Sequence, residues 1–178
     1  MKPAALLLAP GASANRNHPT LRAVEKAVAP MPVARIDLPG RAPAAIARVV
    51  EAATDLVAAN RKNPKALALG GRSYGGRMCS MAVAEGLPAS ALVLISYPLH
   101  PPGKPEALRV DHFPDLKVPC LFLSGTKDPF GTPDELEHHA KAIGGPVTHV
   151  WIEGSGHNFK NRDDDIAATV AAWLKKVR

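Results

Sequence analysis

Aromatic side chains are scarce in this chain: Phe, Trp and Tyr make up only 4% of its 178 residues. Its core must therefore be built from Ala, Val, Leu and Ile, and no stacking platform for nucleic-acid bases is available. Cysteine is nearly absent too. Cys79 and Cys120 have no metal-ligand spacing and cannot form a disulfide framework. Both read as small buried hydrophobes in a reducing compartment. No apolar run approaches the roughly 20 residues that cross a bilayer. The N-terminal stretch through Leu6, Leu7 and Leu8 mimics a signal peptide, with Ala12-Ser13-Ala14 as its cleavage site. It is too short, however, and is interrupted by Pro3 and Pro10. It reads as a first strand, and the expectation is a cytoplasmic protein with no membrane partner.

A run of basic charge is also missing. The net charge is +6, yet no stretch of Lys and Arg exceeds pairs such as Lys175-Lys176. Scattered charge of this kind is a solvated surface with a mild preference for anions, not a nucleic-acid interface. The length fits one domain over residues 1–178.

What the chain does have is alternation. Short apolar runs at Ala4–Ala9, Val33–Asp37, Ala66–Gly70, Ala91–Ser96, Pro119–Ser124 and Val147–Ile152 alternate with segments of helical period. That pattern predicts an α/β fold: a three-layer αβα sandwich with about six parallel strands, all buried on both faces. The first helix opens near His18-Pro19 and buries Leu21, Val24 and Val28. The second carries Ile46, Val49, Val50, Ala53 and Val57 on its apolar face. Thr132 and Glu135 form a capping box for a helix that Gly144-Gly145 ends. The last helix begins at Asp163-Asp164-Asp165 and buries Ile166, Val170 and Trp173. The segment Tyr97 to Pro105 holds too much proline for a helix, and no insertion is long enough for a lid domain.

The most informative stretch is Gly71-Arg72-Ser73-Tyr74-Gly75, between a predicted strand and a predicted helix. There a serine is forced into a strained turn at the strand end, and the flanking glycines let strand and helix meet. A serine hydroxyl needs a base, and the base needs an acid to orient it. Asp128 follows the fifth predicted strand and His157 the sixth, so all three loops should open on one edge of the sheet. Asp134 and Glu153 compete with Asp128 for the acid's place. Oxyanion donors are expected from the backbone N–H of Tyr74 and from the loop after the first strand, at Ala12 or its rival Ser13. His100, Phe130 and Phe159 are candidate substrate contacts, the two phenylalanines alternatively packing their own loops. Arg72 and Arg77 divide evenly between substrate binding and ion pairing.

Gly-x-Ser-x-Gly, Gly-Thr-Lys-Asp-Pro-Phe-Gly-Thr and Gly-Ser-Gly-His, in this order, resemble an α/β-hydrolase over nearly the whole chain. The stretches Gly70 to Met78 and Tyr97 to Pro105 resemble a small branch without a cap domain. It groups bacterial dienelactone-hydrolase-like proteins with testis-expressed and NSL-complex-subunit proteins of animals. Pro10-Gly11 stands where the family usually has His-Gly. Ser73 stands where a dienelactone hydrolase has cysteine, which argues against dienelactone as substrate. The chain begins at what is usually the third strand of the fold. The resemblance implies a serine hydrolase of small esters or thioesters, working as a monomer or homodimer without metal or cofactor. Its animal members imply an alternative, a binding or scaffold module with a blocked pocket. An amidase would use the same three residues.

Overall fold

The computed structural model describes residues Met1–Arg178. Strands β1 (Ala5–Ala9), β2 (Val33–Arg35), β3 (Leu67–Arg72), β4 (Ala91–Ile95), β5 (Cys120–Gly125) and β6 (Val147–Ile152) alternate with helices. The helices are α1 (Pro19–Val28), α2 (Ala42–Ala59), α3 (Tyr74–Ala84), α4 (Pro133–Ala140) and α5 (Asp163–Lys176). All six strands are parallel and lie in the order β2-β1-β3-β4-β5-β6.

Period-two alternation divides the strand side chains between two cores. Leu7, Leu69, Leu92, Leu94 and Phe122 face α2 and α3. Leu6, Leu8, Val93, Ile95 and Leu123 face α1 and α5. The leucines of β1 are wholly buried, each contributing about 1.5–3 kcal/mol relative to exposure. The β4–β5 crossover contains no helix beyond a single 3₁₀ turn at Phe113–Asp115. Tyr97 and Phe113 cover the sheet there instead, their ring centroids 5.4 Å from each other and 5.8 and 6.0 Å from that of Phe122. The few aromatics are spent where a helix is missing.

Four expectations need correction. The outer strands β2 and β6 are only half-buried, because each has a neighbour on one side. On α2 the buried face runs through Ala45, Val49, Ala52, Ala53 and Leu56, and Val50 is exposed. On α5, Leu174 takes the buried position expected of Trp173, whose indole N–H reaches Thr148 instead. The capping box of α4 is present, although the helix ends at Ala140, before the two glycines. No helix is long and apolar enough to cross a membrane.

This order creates a switch point. From β1 the chain moves outward to β2, then returns to the other side of β1 as β3. Loops leaving the carboxyl ends of β1 and β3 diverge there and leave a crevice.

Candidate active site

Sterics build the Ser73 turn. A Cβ at Gly71 or Gly75 would run into the Ala9 carbonyl oxygen, so only glycine lets β1, β3 and α3 close up. Ser73 stands between them at φ 49° and ψ −117°, a conformation costing a non-glycine residue on the order of 1–3 kcal/mol. Its N–H donates to the Ile95 carbonyl at 2.8 Å, and its carbonyl accepts from the Arg77 N–H at 3.1 Å. The strained turn is thereby fixed to β4 and to the first turn of α3.

Asp128 and His157 come from the loops after β5 and β6. Gly125 lies so close to Ser155 that a Cβ would strike its carbonyl oxygen, and the Lys127 N–H donates to that carbonyl at 2.9 Å. The two loops are thus joined. His157 Nε2 lies 2.9 Å from Ser73 Oγ, and its Nδ1 lies 2.8 and 3.0 Å from the two Asp128 carboxylate oxygens. An ionised carboxylate only accepts, so Nδ1 carries the proton and Nε2 is left to accept from the serine hydroxyl. Asp128 is 4% exposed, and it also accepts the Phe130 N–H at 2.9 Å. Glu153 is occupied by the Thr126 hydroxyl at the surface, and Asp134 lies in the first turn of α4.

Ser73 and His157 line a cleft of about 450 Å³ together with Gly11, Ala12, Ser13, Tyr74 and Phe130. The Ala14 N–H closes a turn onto the Gly11 carbonyl at 3.1 Å, while the amides of Ala12 and Ser13 within it donate to no backbone acceptor. Tyr74 is the first residue of α3, where an amide has no intrahelical acceptor. Free N–H groups therefore border the serine from both loops. Phe130 stacks on the His157 imidazole, with ring centroids 4.1 Å apart, and lines the cleft.

His100 and Phe159 do not. His100 is 5% exposed and lies outside the cleft. Its Nδ1 meets the Pro101 carbonyl at 2.8 Å, and its Nε2 lies 3.5 Å from Glu135. Its own N–H donates to the Phe130 carbonyl at 3.1 Å, so it supports the wall from behind. Phe159, at φ 41°, is buried with Leu123, Ile166 and Val170 in the α1–α5 core. Burial drew both side chains inward.

Two supports escaped the sequence reading. Arg72 Nη2 donates to the His157 carbonyl at 2.8 Å and to Asn158 Oδ1 at 2.9 Å. Ser96 Oγ donates to the same His157 carbonyl at 2.9 Å. Arg72 was visible as the residue before the serine. Nothing local distinguished Ser96, a residue at φ 49° just past β4. Burial lowers the pKa of Arg72, while Asp163 and Asp128 offset part of that effect. Nowhere do three His, Cys, Asp or Glu side chains group as a metal site.

A parallel sheet that gathers Ser, His and Asp at its carboxyl edge defines the α/β-hydrolase class. The chain belongs to that family, since residues 2–177 match the model described as an alpha/beta hydrolase domain. Among solved structures it is similar to Est1E from Butyrivibrio proteoclasticus, with a TM-score of 0.80 and 15% identity over 98% of this chain and 88% of that one. It is also similar to a dienelactone hydrolase from Anabaena variabilis, at 0.77 and 20% identity over 99% and 87%. At these identities the likeness is one of fold. Epoxide hydrolase A from Mycobacterium tuberculosis is 35% identical over 60 residues, a stretch that is 33% of this chain and 19% of the relative.

Proposed function

We propose that this protein is a serine hydrolase of small carboxylic esters or thioesters, acting through an acyl-enzyme. The observation that carries the reading is the continuous relay from the Ser73 hydroxyl through both His157 nitrogens to the buried Asp128. Solved structures of similar fold that are named as an esterase domain and a carboxylesterase support the substrate class.

Ser73 Oγ attacks the substrate carbonyl carbon as its proton passes to His157 Nε2. The Tyr74 amide and that of Ala12 hold the resulting oxyanion, each donor contributing roughly 3–4 kcal/mol at such a site. As the tetrahedral intermediate collapses, the leaving alcohol or thiol takes the proton from Nε2. Water then attacks the acyl-serine with His157 as base, releasing the carboxylic acid and restoring Ser73. Asp128 keeps the imidazole in its working tautomer and stabilises it when protonated. An open cleft without a lid favours short acyl groups.

The test is hydrolysis of 4-nitrophenyl butyrate beside labelling by a fluorophosphonate. The wild type should turn over the ester and take the label on Ser73, and Ser73→Ala should do neither while remaining folded. Undiminished hydrolysis by Ser73→Ala would remove the nucleophile assignment. A folded wild type that neither labels nor turns over ester would favour the scaffold alternative.

A further inference from the structure

The cleft beside Ser73 is lined by three arginines, Arg72, Arg77 and Arg109, and by no acidic residue. Arg72 is committed to His157 and Asn158. The other two have no counter-charge. Arg77 lies one helical turn beyond Ser73 on α3, and its Nε is buried without a hydrogen-bond partner. Arg109 rises from the β4–β5 crossover, and its side chain makes one long contact, 3.5 Å to the Pro98 carbonyl. Neither forms an ion pair. Elsewhere, by contrast, the exposed Arg16, Arg48 and Arg162 and the part-buried Arg35 each hold a carboxylate at 2.7–2.9 Å.

This distribution is unusual on physical grounds. Exposed ion pairs contribute little to stability, whereas a half-buried guanidinium without a partner is costly. The two cleft arginines also repel each other: burial and then the charge of Arg77 lower the pKa of Arg109. Tyr97 offsets part of that effect on Arg109, but no carboxylate pairs with either arginine to cancel the repulsion. A bound anion would, because two guanidinium groups offer paired N–H donors to a planar carboxylate.

We propose that Arg77 and Arg109 form an anion subsite, and that the ester hydrolysed here carries a free carboxylate away from the scissile bond. The inference rests on the esterase reading and narrows its substrate class. Ser73 cleaves the ester while the two arginines hold the far carboxylate and set the distance between them. This remote contact fixes the scissile carbonyl against Ser73 without taking part in proton transfer.

The experiment compares two esters of equal chain length, mono-4-nitrophenyl adipate and 4-nitrophenyl hexanoate, after subtraction of uncatalysed hydrolysis. Wild-type protein should show kcat/KM at least about tenfold higher for the adipate at low ionic strength, the preference shrinking in high salt. Arg77→Gln and Arg109→Gln should each bring the ratio of the two constants toward one. Fluorophosphonate labelling of Ser73 in each variant checks that the nucleophile remains assembled. Should a variant fail to fold, competition on the wild type decides: adipate dianion should inhibit hexanoate ester hydrolysis far better than 1-hexanol. A wild-type ratio at or below one, a ratio unmoved in both folded variants, or equal inhibition by the two competitors would overturn the subsite. If hexanoate is hydrolysed without an adipate preference, only the carboxylate inference falls. If neither ester is hydrolysed and Ser73 stays unlabelled, the esterase reading falls with it.

Discussion

The Ser73 turn and the His157 loop meet across 2.9 Å, yet they are held by different means. At Ser73 the backbone does the holding: Gly71 and Gly75 admit the Ala9 carbonyl, and main-chain hydrogen bonds anchor the turn to β4 and α3. At His157 side chains do it. Arg72 and Ser96 donate to the His157 carbonyl, Asp128 orients the ring, and Phe130 covers its face. A turn fixed by backbone sterics is nearly all-or-none. A loop fixed by several side chains can be loosened one contact at a time.

Substitutions can separate the two modes. Asp128→Asn keeps the shape beside His157 but turns an acceptor into a donor facing Nδ1, favouring the wrong tautomer. We expect kcat for 4-nitrophenyl butyrate to fall by about 10³–10⁴-fold in steady-state assays, with the melting temperature much less affected. Phe159→Ala should do the reverse. The side chain fills the α1–α5 core, so chemical denaturation should show a loss of about 3–5 kcal/mol, while the pH profile of the folded fraction keeps its shape. Arg72→Gln loosens the His157 loop without removing a reacting group. A loss of about 10–100-fold in kcat with little change in KM is expected, partly rescued by Arg72→Lys.

The smallest effect lies outside both loops. His112 hydrogen-bonds the Ser80 hydroxyl at 2.8 Å, and burial, followed by the charge of Arg77, pushes its pKa down to about 4. The unfolded chain, with an ordinary histidine pKa of about 6.5, therefore binds the proton first as pH falls. This contribution is complete above about pH 6.5 and is lost on descent toward pH 4. Urea unfolding at pH 7 and pH 5 should show a shallower pH dependence in His112→Asn than in the wild type.

The same contrast explains what could be read in the residues. The Ser73 turn was legible because its demands are local: a buried strand, two glycines, a serine, then a helix. The order of Asp128 and His157 was legible because each follows a short apolar strand of a parallel sheet. The surroundings of His157 were not. His100 and Phe159 sit in loops whose backbone runs beside the cleft, but whether a loop side chain turns outward or inward depends on its neighbours' packing. Arg109 lies in a segment with no periodicity, so nothing marked it as sharing a wall with Arg77. On α2, Ala45 and Ala52 complete the buried face with Val49, Ala53 and Leu56, and alanine carries too little hydrophobic signal to outvote Val50.

Mass spectrometry of an intercepted acyl group tests the central claim most directly. Protein quenched in acid during turnover of 4-nitrophenyl butyrate should gain one butyryl group, mapped by peptide fragmentation to Ser73. Asp128→Asn should accumulate it far more slowly. Butyryl on another residue, or turnover with no covalent adduct even in a variant that slows deacylation, would contradict the account.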